Sequence, residues 1–116
     1  MPISHHVAAQ STFGKVETGK YSFLDDLYTT DDTEKPMSGG IFIYEKSPED
    51  FEYTYSYDEL KIMLEGEMTL KDKATGEVKL VKAGDVVKIP KGTTVLFNSP
   101  TSGKAFYVGQ RAYRAF

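Results

Sequence analysis

The chain has 116 residues, 40% of them hydrophobic and 27% charged, which predicts a single folded domain with one core. The absence of cysteine excludes disulfides, thiolate metal sites and cysteine nucleophiles. The net charge of −3 lacks the basic excess that is typical of nucleic-acid-binding domains. No apolar run approaches the roughly 20 residues that span a bilayer, and the N-terminus lacks the charged and apolar regions of a signal peptide. We therefore expect a cytoplasmic protein that binds neither nucleic acid nor membrane.

The first third of the chain has little regular pattern. We interpret residues 1–37 as an N-terminal arm that could add one strand, with a short strand at 20–27 and an acidic, turn-rich loop at 29–36. From residue 38 onward the pattern becomes regular, so 38–116 is predicted to be the core of the domain.

After residue 38 the sequence is typical of short β-strands separated by turns that contain glycine or proline. Residues 51–57 alternate aromatic and polar side chains, which is the period of a strand. Strands roughly 8–12 residues apart favour a β-sandwich or a barrel. The other predicted strands are 41–44, 60–64, 68–70, 78–81, 86–89, 94–97 and 104–108, with a turn at 65–67.

Two spaced patterns in this region resemble the paired motifs of the cupin superfamily. They are Glu59-x6-Gly66 and Gly84-Asp85-x4-Pro90-x-Gly92. Glycine suits tight turns between strands, and proline suits the end of a strand. The resemblance covers residues 38–111 and implies an all-β, single-domain cupin, a double-stranded β-helix or jelly-roll barrel.

The metal ligands of cupins are largely missing. Metal-binding cupins have two histidines before the motif glutamate and a third in the second motif, and these positions are Tyr53, Tyr55 and Val95 here. Only Glu59 remains of the four ligands. Phenols, with a pKa of about 10, combine with one carboxylate into a poor site for Fe, Mn or Zn. We therefore predict no metal and no cofactor.

The wider pattern is similar to the cupin domain of the ethanolamine-utilisation protein family EutQ. The resemblance implies a barrel lined by tyrosine and glutamate. It leaves open an ethanolamine-utilisation accessory role with acetate-kinase-like activity, but no G-x-x-x-x-G-K-[ST] phosphate loop occurs. Residues 1–37 are shorter than the N-terminal extension of operon members, which favours a stand-alone EutQ-like cupin that acts on polyketide-like aromatics without metal. The matching segments are 54–59, 64–67, 83–86, 89–92, 100–102 and 107–108.

The candidate site follows from the alternation of side chains across a barrel wall. If Glu59 faces inward, as the motif glutamate does in cupins, an unbulged strand places residues 53, 55, 57, 61 and 63 on the same face. A bulge would turn Lys61 to solvent instead, the alternative that we slightly favour. Asp58 has the opposite parity and is expected to accept backbone hydrogen bonds, and Arg111 could reach the barrel mouth. The catalytic candidates are Glu59, Tyr55 and Tyr57, and the substrate-binding candidates are Tyr53, Lys61, Met63, Val95, Phe97 and Tyr107.

Two functions remain open at this stage. In the first, a metal-independent enzyme of isomerase, lyase, hydratase or cyclase type, Glu59 moves a proton and tyrosines hold the oxyanion. In the second, a non-catalytic cupin binds a small molecule, Glu59 is held by tyrosine hydroxyls and the tyrosines are ordinary strand packing. An open cavity favours the first function, and a sealed barrel with paired hydroxyls favours the second. Uncovered sheet surface and edge strands in so small a barrel also predict a homodimer.

Overall fold

The computed structural model describes residues 3–116, which contain one short helix and nine strands. The prediction of an all-β barrel is confirmed. In chain order the elements are α1 (Ala9–Thr12), β1 (Val16–Gly19), β2 (Ser22–Thr29), β3 (Ser38–Glu45), β4 (Phe51–Thr54), β5 (Glu59–Asp72), β6 (Val78–Lys82), β7 (Val86–Ile89), β8 (Thr94–Asn98) and β9 (Ser102–Gly109).

Strand β5 organises the barrel because it belongs to both of its walls. Its first half pairs with β7 and β9, and its second half pairs with β6 and β8. From β9 the first wall continues through β3 and β2 to β1, and β8 extends the second wall to β4. Side chains that alternate inward along β5 therefore reach the space between the two walls.

The predicted turn at 65–67 is wrong, because β5 runs through it without interruption for 14 residues. The register shifts between Met63 and Glu65, and Gly66 adopts a φ of 69°. A side chain at Gly66 would collide with the backbone oxygen of Ser102. The glycine thus permits a bulge that bends one long strand from one wall into the other.

The predicted strand at 51–57 is too long, since β4 ends at Thr54. The chain beyond it is still held to the opposite turn: the Tyr55 N–H donates to the Thr93 oxygen at 2.9 Å, and the Gly92 N–H donates to the Tyr55 oxygen at 2.7 Å. The Lys91 N–H donates to the Asp58 carboxylate at 2.8 Å, which confirms the backbone-binding role expected of Asp58. Tyr55 and Tyr57 consequently remain buried although they lie outside the strand.

Residues 1–37 contribute two strands to the sheet, the strand that the arm could add and the short strand predicted at 20–27. β2 pairs with β3 along its length, and β1 folds back on β2. Strand β2 begins at Ser22 and not at residue 20, because a tight turn follows Gly19. The boundary at residue 38 between an arm and a core stays a prediction.

Aromatic, aliphatic and methionine side chains together form the core between the walls. Burying a large apolar side chain contributes roughly 1.5–3 kcal/mol before entropy costs, so these residues dominate the stability of the barrel. Across residues 3–116, no helix has the length and apolar character required to cross a membrane. The most deeply buried large core side chains are Ile41, Phe42, Tyr44, Met63, Met68, Phe97 and Tyr107.

Candidate functional site

The barrel encloses a partly open cavity of about 330 Å³. This volume lies at the lower end of the roughly 300–1,000 Å³ that is usual for small-molecule sites. The cavity has aromatic walls and a few charged groups, a combination that suits a planar ligand with one or two polar atoms. The aromatic lining is Phe42, Phe51, Tyr53, Tyr55, Tyr57, Phe97, Tyr107 and Phe116.

Two oppositely charged side chains from the start of β5 lie together in the cavity wall. Glu59 and Lys61 are 5% and 4% exposed, and the Lys61 Nζ lies 3.3 Å from the Glu59 Oε2. The ammonium also lies 4.5 Å from the centre of the Phe42 ring and 4.8 Å from that of Phe97. The solvent-facing orientation that we favoured for Lys61 is wrong. The bulge in β5 comes after Met63, so Lys61 keeps the inward parity of Glu59.

Three tyrosines, Tyr53, Tyr55 and Tyr57, form one edge-packed cluster beside this pair. The Tyr55 hydroxyl donates to the Glu59 Oε2 at 2.9 Å, and the hydroxyls of Tyr53 and Tyr57 are bonded to each other at 3.0 Å. The rings of Tyr53 and Tyr55 meet edge to face at 4.8 Å. Burial, with the neighbouring Glu59 charge, raises the pKa of Tyr55 well above its usual value. Tyr55 is therefore a neutral hydrogen-bond donor.

A second polar network lies on the other side of the cavity, around Asp26. Its carboxylate accepts from the Tyr107 hydroxyl at 2.7 Å and from the Arg111 Nη1 and Nη2 at 2.7 and 2.9 Å. The Arg114 N–H also donates to it, at 2.6 Å. Burial alone would raise the pKa of Asp26, but hydrogen bonds from Arg111, Tyr107 and the Arg114 backbone hold that pKa below its usual value.

Sequence reasoning missed Asp26. The available signal was a pair of acidic residues, Asp25 and Asp26, inside a predicted strand, where a buried carboxylate requires a partner. Arg111 was expected near the barrel mouth, and it does line the cavity.

The structure brings most of the predicted site residues to one cavity. Met63 and Val95 do not line it and are instead buried in the core, 1% and 4% exposed. The predicted residues that line the cavity are Tyr53, Tyr55, Tyr57, Glu59, Lys61, Phe97 and Tyr107.

The residues at the metal-ligand positions do not fit a divalent transition metal. Tyr55 is a protonated phenol, Val95 has no donor atom, and the Lys61 ammonium already neutralises Glu59 at 3.3 Å. Within residues 3–116, no three His, Cys, Asp or Glu side chains gather at one point. A cation at this site would face a fixed positive charge and a single carboxylate.

The barrel defines the chain as a cupin. The structure of an RmlC-like cupin from Shewanella frigidimarina aligns with 96% of this chain and 95% of its own, with a TM-score of 0.69 at 16% identity. The polyketide cyclase RemF from Streptomyces resistomycificus aligns with 97% of this chain and 82% of its own, with a TM-score of 0.72 at 18% identity. At these identities the likeness shows the fold alone.

Within the cupins, the chain belongs to the EutQ family. Residues 3–115 match the family described as ethanolamine utilisation protein EutQ. The acetate kinase EutQ of Salmonella typhimurium is 39% identical over 85 residues, covering 73% of this chain and 35% of that protein. The crystal structure of a Salmonella typhimurium ethanolamine utilization protein Q aligns with 77% of this chain and 68% of its own, with a TM-score of 0.66 at 37% identity. The chain thus spans about a third of the length of its curated Salmonella relative.

Proposed function

We propose that this protein is a cytoplasmic, metal-independent enzyme of the EutQ-like cupin type, in which Glu59 transfers a proton on a small planar substrate. The reaction class is isomerase, lyase, hydratase or cyclase, and polyketide-like aromatics are the proposed substrates. The observation that carries the proposal is a carboxylate that is 5% exposed, lies in the wall of a partly open cavity and has only one of its two oxygens engaged.

The two oxygens of Glu59 differ in their contacts. Oε2 accepts from the Tyr55 hydroxyl and lies beside the Lys61 ammonium. Among residues 3–116, the hydrogen bond and the ion pair of Glu59 both involve Oε2, and Oε1 takes part in neither. A carboxylate fixed through one oxygen keeps the other available to take a proton from a ligand or to return one.

A test that does not depend on knowing the substrate uses exchange of acidic protons with solvent. Planar enolisable ketones and aryl β-diketones are incubated with the protein in D₂O, and loss of their α-proton signals is followed by NMR. We expect catalysed exchange for at least one compound with the wild type. Glu59→Gln should lose this exchange. Glu65→Gln is the matched control and should keep it, because Glu65 is also paired with a lysine but is 63% exposed and lies outside the cavity. If the wild type accelerates the exchange of no compound, the enzymatic proposal is wrong.

A non-catalytic binding cupin is the second candidate, and a specific observation favours it. The hydroxyls of the four cavity tyrosines are all engaged: Tyr55 with Glu59, Tyr53 with Tyr57, and Tyr107 with Asp26. Paired hydroxyls suit a rigid binding wall as well as a catalytic one. Ligand binding without proton exchange would identify this function.

A third candidate, an ethanolamine-utilisation role with acetate-kinase-like activity, is supported by the names of the curated relatives from Salmonella typhimurium, Escherichia coli and Clostridioides difficile. A phosphoryl-transfer site needs groups that cradle phosphates, and the glycine-rich P-loop pattern does not occur in the sequence.

We also propose that the protein acts as a homodimer through the outer face of β5 and β7. Leu60, Ile62 and Val86 point outward there and are 56%, 36% and 69% exposed, and Ile62 pairs directly with Val86. Exposed apolar surface of this kind is typical of interfaces. Light scattering at micromolar concentration should give twice the chain mass of 13.0 kDa, and Ile62→Asp should give the monomer.

Strand β6 offers the control for this prediction. Leu80 is an exposed apolar residue of the other wall, so Leu80→Asp should leave the dimer intact. A monomeric wild type, or a dimer that survives Ile62→Asp, would contradict the proposed interface.

A further inference from the structure

The hydrogen atoms of the cavity hydroxyls are nearly all committed within the protein. Tyr55 donates to Glu59 and Tyr107 donates to Asp26. One member of the Tyr53–Tyr57 pair donates to the other, which leaves a single hydroxyl hydrogen available from that pair. The tyrosines therefore offer few donors to an incoming oxygen.

The Lys61 ammonium is in the opposite situation. It has three N–H donors, and among residues 3–116 its polar contact is the Glu59 Oε2 at 3.3 Å. The rings of Phe42 and Phe97 flank the ammonium in cation–π contacts, which provide no oxygen or nitrogen acceptor. Lys61 lines the cavity, so its ammonium has N–H donors to offer to an oxygen that enters this aromatic space.

The other cavity cation does not compete for this role. The Arg111 guanidinium forms a bidentate ion pair with Asp26 and donates to the Ala112 oxygen at 3.1 Å. Its Nε lacks a partner within the described chain, but it is fully buried and out of reach of a ligand. Arg111 therefore holds the cavity wall, whereas Lys61 faces the ligand space.

We infer that the ligand of this cavity is a planar phenol or enolisable carbonyl compound, and that Lys61, rather than a tyrosine, holds its oxygen when that oxygen becomes negatively charged. This inference rests on the proposed function, because Glu59 is the group that receives the proton. It adds the functional group that the ligand carries, an ionisable phenol or enol oxygen, and a role for Lys61.

Glu59 Oε1 takes the acidic C–H or O–H proton of the ligand, and the bonding pair moves onto the ligand oxygen as an enolate or phenolate. The carboxylate loses its negative charge as the ligand oxyanion forms. The Lys61 ammonium therefore exchanges one counter-ion, Glu59, for another, the ligand oxygen, without moving. Return of the proton to the same atom restores the substrate, and return to another carbon gives an isomer.

The experiment uses para-nitrophenol as the probe, because its ionised form is coloured. The probe is titrated into the full-length protein at a pH below its own pKa, and phenolate absorbance is followed as it binds. We expect the bound probe to ionise at a lower pH than the free probe, with about a tenfold preference for the phenolate per unit of pKa shift. Lys61→Met should abolish this shift, and Glu59→Gln should increase it by leaving the ammonium uncompensated.

Lys104→Met is the matched control, since Lys104 is also ion-paired, to Glu65 at 3.1 Å, but lies outside the cavity. It should behave as the wild type does. If Lys61→Met does not fold, the double variant with Glu59→Gln removes both charges together and should bind the neutral probe only. A probe that binds with no shift, or a shift that survives Lys61→Met, overturns the inference yet leaves the cavity a binding site. A wild type that binds no probe overturns the inference and also weakens the proposed function.

Discussion

Replacing Glu59 with glutamine should slow proton exchange by roughly 10²–10⁴-fold, the usual contribution of a positioned acid–base group. Glutamine keeps the shape of the side chain and can still accept a hydrogen bond from the Tyr55 hydroxyl, now 2.9 Å from Oε2. It cannot take up the substrate proton. The measurement is the NMR exchange rate of the best compound in the panel, compared with the rate for Glu65→Gln.

The same variant should also be less stable than the wild type. Removing a buried carboxylate that stood alone would leave the melting temperature unchanged or raise it, but Glu59 has a buried partner. Lys61, 4% exposed and 3.3 Å from Glu59, would instead lose its counter-ion. Adding Lys61→Met should recover much of the lost stability without recovering activity.

Tyr55→Phe should reduce exchange less than Glu59→Gln does. It removes the donor to Oε2 but leaves Oε1 free to react.

A Glu59→Gln variant with wild-type exchange would end the acid–base proposal. A Glu59→Gln variant that unfolds would indicate that Glu59 has a structural role, as the partner of the Tyr55 hydroxyl and the Lys61 ammonium.

The barrel was largely predictable from its turns. Gly84 and Gly92 each adopt a φ of 94°, a conformation that glycine reaches without strain, so their positions mark turns whatever the rest of the chain does. The motif glutamate then fixed the parity of one wall. From Glu59 alone, counting by twos placed Tyr53, Tyr55 and Tyr57 on the cavity side, although β4 ends at Thr54.

The interior position of Lys61 could not be predicted, because it depends on where β5 bulges. A bulge before residue 61 would have sent Lys61 to solvent, and the observed bulge lies after Met63. Both positions satisfy the same local pattern. In the fold, Gly66 pairs with Gly103 and lies against the Ser102 oxygen, and contacts between residues so distant in sequence are not visible in the local pattern.

The Asp26–Arg111 pair was invisible for a related reason, since its partners are 85 residues apart. Asp26 belongs to β2 and Arg111 follows β9. Both strands are neighbours of β3 in the sheet, so the two side chains come within reach of each other across β3. Gly40 of β3 pairs with Tyr107, and a side chain there would press on the tyrosine ring. The missing side chain therefore leaves room for the Tyr107 hydroxyl to reach Asp26.

Asp26→Asn should lower the free energy of unfolding by about 3–5 kcal/mol, the usual cost of breaking a buried ion pair from one side. That is a large share of the roughly 5–15 kcal/mol by which domains are stable. Asparagine removes the charge opposite Arg111, which is 7% exposed, and turns an amide N–H₂ toward donors. Urea unfolding of wild type and variant measures the difference.

Glu52→Gln provides the control, because its ion pair with Lys73 is exposed and should be worth about 0–1 kcal/mol. Adding Arg111→Met to Asp26→Asn should recover part of the loss, since it removes the stranded charge. Equal losses for Asp26→Asn and Glu52→Gln would show that the Asp26 network does not stabilise the fold.

The Asp26 network should also make the fold sensitive to acid. Because the pKa of Asp26 in the folded protein lies below its usual 3.8, the charged form contributes stability that is complete above that value. This contribution disappears as the pH falls through the lowered pKa, when Asp26 takes up a proton and Arg111 loses its counter-ion. Unfolding free energies measured from neutral pH downward should therefore fall more steeply below pH 3.8 in the wild type than in Asp26→Asn. Parallel curves for the two proteins would mean that other carboxylates carry the acid dependence.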